Sequence, residues 1–198
     1  MSLLSLVESL AYSVGLNKPT QVMGAPGREM AEVRQVADET GEELARRVQW
    51  GDLTRTATIS GEGRIALPSD FGRLVEGIAV TAGGKPVRPL TRGEWANLPA
   101  SVGAPRYFLL EDDAITLWPG LASGASAVVT YQSRNWVSNG QARFTADGQS
   151  PVMDEALFLK GMIVRWRRMK SMPYQDEEAE YEAALAQYAG FDDRGRLR

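Results

Sequence analysis

The side chains able to do chemistry in this chain are carboxylates, lysines, arginines and hydroxyls, because its 198 residues include neither histidine nor cysteine. Without imidazole there is no ordinary Ser-His-Asp triad, no histidine metal motif and no side chain whose unperturbed pKa lies near neutrality. Without thiols, disulfides, thiolate nucleophiles, zinc-thiolate sites and iron-sulfur ligation are all excluded. Asp112 and Asp113 are adjacent, and paired carboxylates can serve general acid-base chemistry or calcium binding. Adjacent residues in a hairpin turn point apart, however, and Asp favours turns for local hydrogen-bonding reasons. Asp70, after Pro68-Ser69, also reads as a turn acid. Gly83-Gly84-Lys85 lacks the earlier glycine, the following Ser or Thr and the following helix of a phosphate loop, since Pro86 and a strand come next. The expectation is a protein that is not an enzyme, with no catalytic, cofactor-binding or metal-ligating residues.

Two charge blocks stand out instead. Lys160, Arg165, Arg167, Arg168 and Lys170 form a helical stretch with no acid, and Asp176, Glu177, Glu178, Glu180 and Glu182 follow with no base. The basic block suits DNA phosphate or an acidic partner, and the two blocks suit pairing between neighbouring copies. The plain alternative is a solvated helix face followed by a dipole-favoured acidic helix start. Arg165, Arg167, Arg168, Lys170, Asp176, Glu177 and Glu178 are therefore the candidates for a channel or inter-subunit surface. Trp166 sits among the arginines, but Leu159, Met162, Ile163 and Trp166 share three-four spacing and read as core. A second candidate segment is residues 190–198, where Phe191 and Leu197 are apolar anchors with Arg194, Arg196 and Arg198 around them, a composition suited to docking as an extended peptide.

The elements that must position these residues follow from periodicity. Leu3, Val7, Leu10 and Val14 predict a helix over residues 3–15, stopped by Gly15. Pro26 suits the first turn of a second helix whose apolar face runs through Met30, Val33, Ala37, Thr40, Leu44 and Val48. Gly41 lies on that helix and should weaken it by roughly 1 kcal/mol relative to Ala. From Leu53 the period becomes two. Three hairpins are expected, around Gly61-Glu62-Gly63, Ala82-Gly83-Gly84 and Glu111-Asp112-Asp113, with a one-turn helix capped by Thr91 and Glu94. Residues 151–171 and 174–188 read as helices separated by Pro173, with Gly190 as a C-terminal cap.

The expected fold class is α+β: a helical bundle carrying an inserted antiparallel β-sandwich or barrel-like subdomain. Its parts are N-terminal helices (1–52), the β subdomain (53–137), a loop or arm (138–150), C-terminal helices (151–189) and a flexible tail (190–198). With 43% apolar and 24% charged residues the composition is globular, and a net charge of −3 argues against coating nucleic acid by bulk charge. The N-terminal stretch does not read as a secretory signal and the stretch 156–166 is too short and too charged to span a bilayer.

The order of short motifs resembles the head-to-tail adaptor, or connector, proteins of tailed bacteriophages. The motifs are a helix pair ending in Trp50, Leu67-Pro68-x-Asp70-Phe71 entering the sheet, Pro105-x-Tyr107, Leu117-x-Pro119, Tyr131, and a helical C-terminus ending Ala179-Glu180-Tyr181-Glu182-Ala183-Ala184-Leu185. The resemblance implies a structural virion protein of the neck, made in the host cytoplasm. It would form a homo-oligomeric ring, commonly of twelve copies, with the portal above and a tail or stopper protein below, and DNA passing through unread. It also implies that the C-terminal segment reaches the portal, which makes Phe191, Arg194, Arg196, Leu197 and Arg198 portal-binding candidates. The alternative from another class is a carbohydrate- or surface-binding β module of a phage tail component, using Trp95, Trp118 and Trp136.

Overall fold

The computed structural model describes residues 1–195, with side chains described through Tyr188. In chain order the elements begin with α1 (Leu3–Val14), α2 (Arg28–Arg47), β1 (Thr54–Ser60), β2 (Arg64–Ala66), β3 (Phe71–Leu74), β4 (Val80–Ala82), β5 (Lys85–Pro86) and β6 (Arg88–Pro89). They continue with α3 (Arg92–Ala96), β7 (Tyr107–Glu111), β8 (Ala114–Trp118), β9 (Ser126–Ser133), α4 (Glu155–Met169) and α5 (Gln175–Gly195). The chain divides into two compact units, one of Met1–Leu53 with Arg134–Arg198 and one of Thr54–Ser133. The fold is α+β.

In the helical unit, α1 starts where the Ser2 side chain accepts from Ser5 N–H (3.3 Å) and stops at Gly15, whose φ of 75° is left-handed. Its stripe of Leu3, Leu6, Val7, Leu10 and Ala11 is buried, each large member contributing roughly 1.5–3 kcal/mol relative to exposure. The second helix begins two residues after Pro26, past Gly27, and ends when Val48 turns extended. The Trp50 indole N–H then donates to the Leu44 carbonyl (2.8 Å), satisfying one of the carbonyls that a helix end leaves open.

Gly41 earns its place by close approach. A Cβ there would lie 2.3 Å from the Trp136 ring, so the indole packs directly on the backbone of α2. Trp136 is fully buried and meets Phe144 and Phe158 at ring-centroid distances of 5.0 and 5.7 Å. Gly161 of α4 plays a similar part: a Cβ there would lie 2.8 Å from the Thr40 methyl and 3.1 Å from the Tyr181 ring.

Residues 139–150 have little regular structure yet are tied down. Leu3 N–H donates to Gln149 O (2.6 Å) and Leu4 N–H to Asp147 O (3.1 Å), while the Asp147 carboxylate accepts from the N–H groups of Val22 (3.1 Å) and Met23 (2.6 Å). Phe144 inserts into the aromatic cluster.

The second unit is a sandwich of two open sheets. One has the order β1-β9-β4-β5, with β3 also on β9, and the other has the order β2-β8-β7-β6. Their inner faces share a core that includes Ile59, Val80, Phe108, Ile115, Leu117 and Val129. The sheets do not close into a barrel. Two of the expected hairpins form: β4 and β5 pair across Gly83-Gly84, both at positive φ, and β7 and β8 pair across Asp112-Asp113. The first does not. β1 pairs along its whole length with β9, and β2 crosses to the other sheet and pairs with β8. Crossing over the Gly61 to Gly63 corner lets Ile59 and Ile65 reach one core from opposite sheets, which a hairpin in one sheet would not achieve. The expected all-antiparallel pairing also has an exception, the short parallel pair β6–β7, because α3 and the long connection after it bring the chain back to the same end.

Candidate functional site

The basic end of α4 finds its partners within the chain. α4 is capped by Asp154, whose side chain accepts from Leu157 N–H (2.8 Å), and the chain reverses through Ser171, at φ 54°, and Pro173 into the acidic start of α5. Arg167 pairs with Glu177 (3.0 Å) and donates to Pro173 O (3.1 Å). Arg168 pairs with Glu178 and lies over the Tyr174 ring at 4.9 Å. One turn on, Lys160 meets Glu180 at 2.7 Å. The remaining bases turn to α2: Arg165 reaches Glu39 (3.2 Å) and Glu43, and Lys170 reaches Glu32 while its ammonium sits 4.7 Å from the Trp166 ring. Asp176 lies exposed in the first turn of α5, where its charge suits the helix dipole. The charge blocks thus bind three helices to one another.

Titration behaviour follows these contacts. The Lys170 ammonium, then the Arg28 guanidinium, hold Glu32 below the usual carboxylate range, and Lys160 and Arg47 do the same for Glu180 and Glu182. Asp38 goes the other way, because burial outweighs the hydrogen bond it accepts from Phe144 N–H (3.3 Å). Burial pushes Tyr181 and Tyr188 up to about 12, helped at Tyr188 by its hydrogen bond to Asp154.

Sequence reasoning missed the α2 side of this arrangement. Arg47 is held in a two-point pair by Glu182, with contacts of 2.7 and 2.6 Å, and also meets Glu43 at 2.9 Å. The signal available was the acidic run Glu39, Glu42, Glu43 on a helix whose opposite face is apolar. Trp166 is buried, as its spacing predicts. Near the end of the described side chains, Tyr188 packs on Trp50 with centroids 5.4 Å apart. The α5 backbone continues as helix past Gly190, the expected stop, to Gly195. Of the tail candidates, Phe191 and Arg194 lie on that backbone. Arg196, Leu197 and Arg198 lie outside the described residues, as do the side chains of Phe191 and Arg194.

The acids considered for catalysis are in separate settings. Asp70 accepts a hydrogen bond from the Tyr131 hydroxyl (2.8 Å), Asp112 sits at φ 49° in its turn, and Asp113 pairs with Arg64 (3.3 Å). Trp95 and Trp118 pack edge to face at 6.2 Å. Trp136 is corrected from an exposed glycan-binding candidate to a core residue of the helical unit, because its indole fills the space that Gly41 leaves. Among the described residues no group of acids is placed to hold a metal ion, and no helix is long and apolar enough to cross a membrane.

No curated protein matches the chain. The family model described as SU10 adaptor protein matches residues 1–198, the entire sequence. The chain therefore belongs to the SU10 adaptor protein family, in agreement with the resemblance of its motifs to the head-to-tail adaptors of tailed bacteriophages.

Proposed function

We propose that the chain is a ring-forming subunit of the virion neck that joins the portal of a tailed bacteriophage to the next tail component and leaves an open path for DNA. The observation that carries this reading is the family match over the full length, taken with a helical unit whose charges are used for internal cohesion rather than for a reactive site. Such a subunit works by being rigid and by presenting surfaces. Its role is structural, with no turnover and no cofactor. DNA passes without base contacts, and the subunits number about twelve, as in the adaptors that the motifs resemble.

Portal attachment falls to the end of α5 and the residues after it. The helix is anchored through Tyr188 by Trp50 and Asp154, and seven more residues of helix reach roughly 10 Å beyond that anchor. Phe191 and Leu197 supply apolar contact, and Arg194, Arg196 and Arg198 supply charge, each weak alone but strong when repeated around one assembly. Deleting residues 191–198 should leave the melting temperature nearly unchanged and abolish attachment to portal-bearing capsids, read by co-sedimentation. Truncated protein joining those particles at full occupancy would move the attachment surface elsewhere.

A further inference from the structure

The edge strands of the β unit, β1, β3 and β5 in one sheet and β2 and β6 in the other, are unequally protected, and β3 is only four residues long and contains Gly72. β5 and β6 are two residues long, and each pairs a basic residue with a proline, Lys85-Pro86 and Arg88-Pro89, which removes a donor and adds charge. β2 is three residues long. β1 is seven residues long, contains no proline or glycine, and from Thr56 to Ser60 reads Thr-Ala-Thr-Ile-Ser, uncharged and rich in β-formers. It ends its sheet, with β9 on one flank, and among the described residues no backbone hydrogen bond is made to the other flank of residues 56–60. Thr56, Thr58 and Ser60 are exposed.

The same unit carries a segment with complementary properties. After α3, residues 98–102 (Leu-Pro-Ala-Ser-Val) have no regular structure, and among the described residues no backbone hydrogen bond is made by residues 99–105. The segment is uncharged, its side chains after Leu98 are exposed, and Val102 is 94% exposed. An extended five-residue segment spans about 17 Å, the length of residues 56–60 in a strand.

We propose that the β1 edge receives residues 98–102 of a neighbouring copy as an added strand. The contact deepens the ring reading and rests on it. Donor and acceptor lie at different places on one chain, so the contact is heterologous, and repetition runs in one direction until a rotation closes it. A five-residue strand buries far less than the ~1,200 Å² of a stable pairwise interface. An isolated pair of copies therefore does not persist, and closure, in which every copy both gives and receives, holds the contact in place. Pro99 has no N–H, so the strand is added with the Ala100 and Val102 N–H groups facing β1, and the uncharged side chains on both partners add no repulsion.

The test exploits the absence of cysteine in the chain. Thr58 and Ala100 are the central residues of the two segments, so they meet whether the added strand runs parallel or antiparallel. With a short bis-maleimide, the double variant Thr58→Cys/Ala100→Cys should give a ladder of multimers beyond the dimer, and each single variant should stop at dimer. In parallel, Ala100→Pro/Val102→Pro changes only an exposed segment, and circular dichroism checks that the fold is kept. This variant should need about ten-fold higher concentration than the wild-type chain to assemble, read by native mass. Wild-type rings with an unimpaired proline variant, or with only intrachain cross-links in the double cysteine variant, would overturn the strand contact and leave the ring reading intact. A wild-type chain that stays monomeric at all concentrations, together with a double cysteine variant that gives no ladder, would overturn both.

Discussion

The helical unit and the β unit hold together by different means. In the helical unit, large side chains fill narrow gaps, with Trp136 against Gly41 and Tyr181 against Gly161, while ion pairs lace α2, α4 and α5 on the outside. In the β unit, strand ladders and a core of medium-sized residues carry the load, and ion pairs such as Arg64–Asp113 and Arg92–Glu111 sit at its periphery. A close-packed contact between helices leaves little slack, so the first unit should respond sharply to changes of volume and charge. A ladder distributes its bonds along β9, so the second should respond to them weakly.

The largest expected effect is Trp136→Ala. Removing a fully buried indole should cost the helical unit about 3–5 kcal/mol, read as lost amide-exchange protection in α2 and α4 under mild denaturant. If β9 loses protection to the same degree, the two units unfold as one block and the comparison breaks. Gly41→Ala comes next and inverts the usual rule. Helix propensity alone favours Ala by roughly 1 kcal/mol, but a methyl group 2.3 Å from the Trp136 ring should produce a net loss of about 1–3 kcal/mol. A higher melting temperature for this variant would show that the indole can move aside at little cost.

Acid provides a third, graded test. Glu32, Glu180 and Glu182 have folded pKa values below their unfolded values, so their contribution is complete above the unfolded carboxylate pKa and is lost as pH falls through the lower, folded values. Asp38 opposes them, since its raised pKa means that protonation favours the fold. Asp38 lies on α2, whereas Glu180 and Glu182 both lie on α5. Between pH 5 and 3, exchange protection over residues 175–188 should fall before protection over β9, with 1 M salt at pH 7 giving a weaker version of the same change. Loss of β9 first would reverse the assignment of charge dependence to the helical unit. The smallest effect expected is Tyr181→Phe. The Tyr181 hydroxyl is buried with no hydrogen-bond partner among the described residues, so its removal should be neutral or stabilising by up to about 1 kcal/mol, measured by urea titration. A clear loss would reveal a partner for that hydroxyl.

Much of this protein was written locally in the sequence. Three-four spacing marks the helices, Gly15 stops α1, the Thr91 and Glu94 pair builds the capping box of α3, and paired glycines place the β4–β5 turn. These features need only neighbours a few residues away, and the backbone rules that act on them are strong. The absence of His and Cys likewise narrows the chemistry before any coordinates are seen. The charge blocks on α4 and α5 were visible as blocks, but their pairing with each other and with Glu32, Glu39 and Glu43 was not, because composition does not reveal which helices lie side by side. The roles of Gly41, of Asp147 and of the β1 to β2 crossing needed the tertiary structure for the same reason. Each depends on a partner far along the chain, Trp136 for Gly41, the Val22 and Met23 amides for Asp147, and β9 for β1. Such contacts are selected by the packing of the whole unit rather than by local preference.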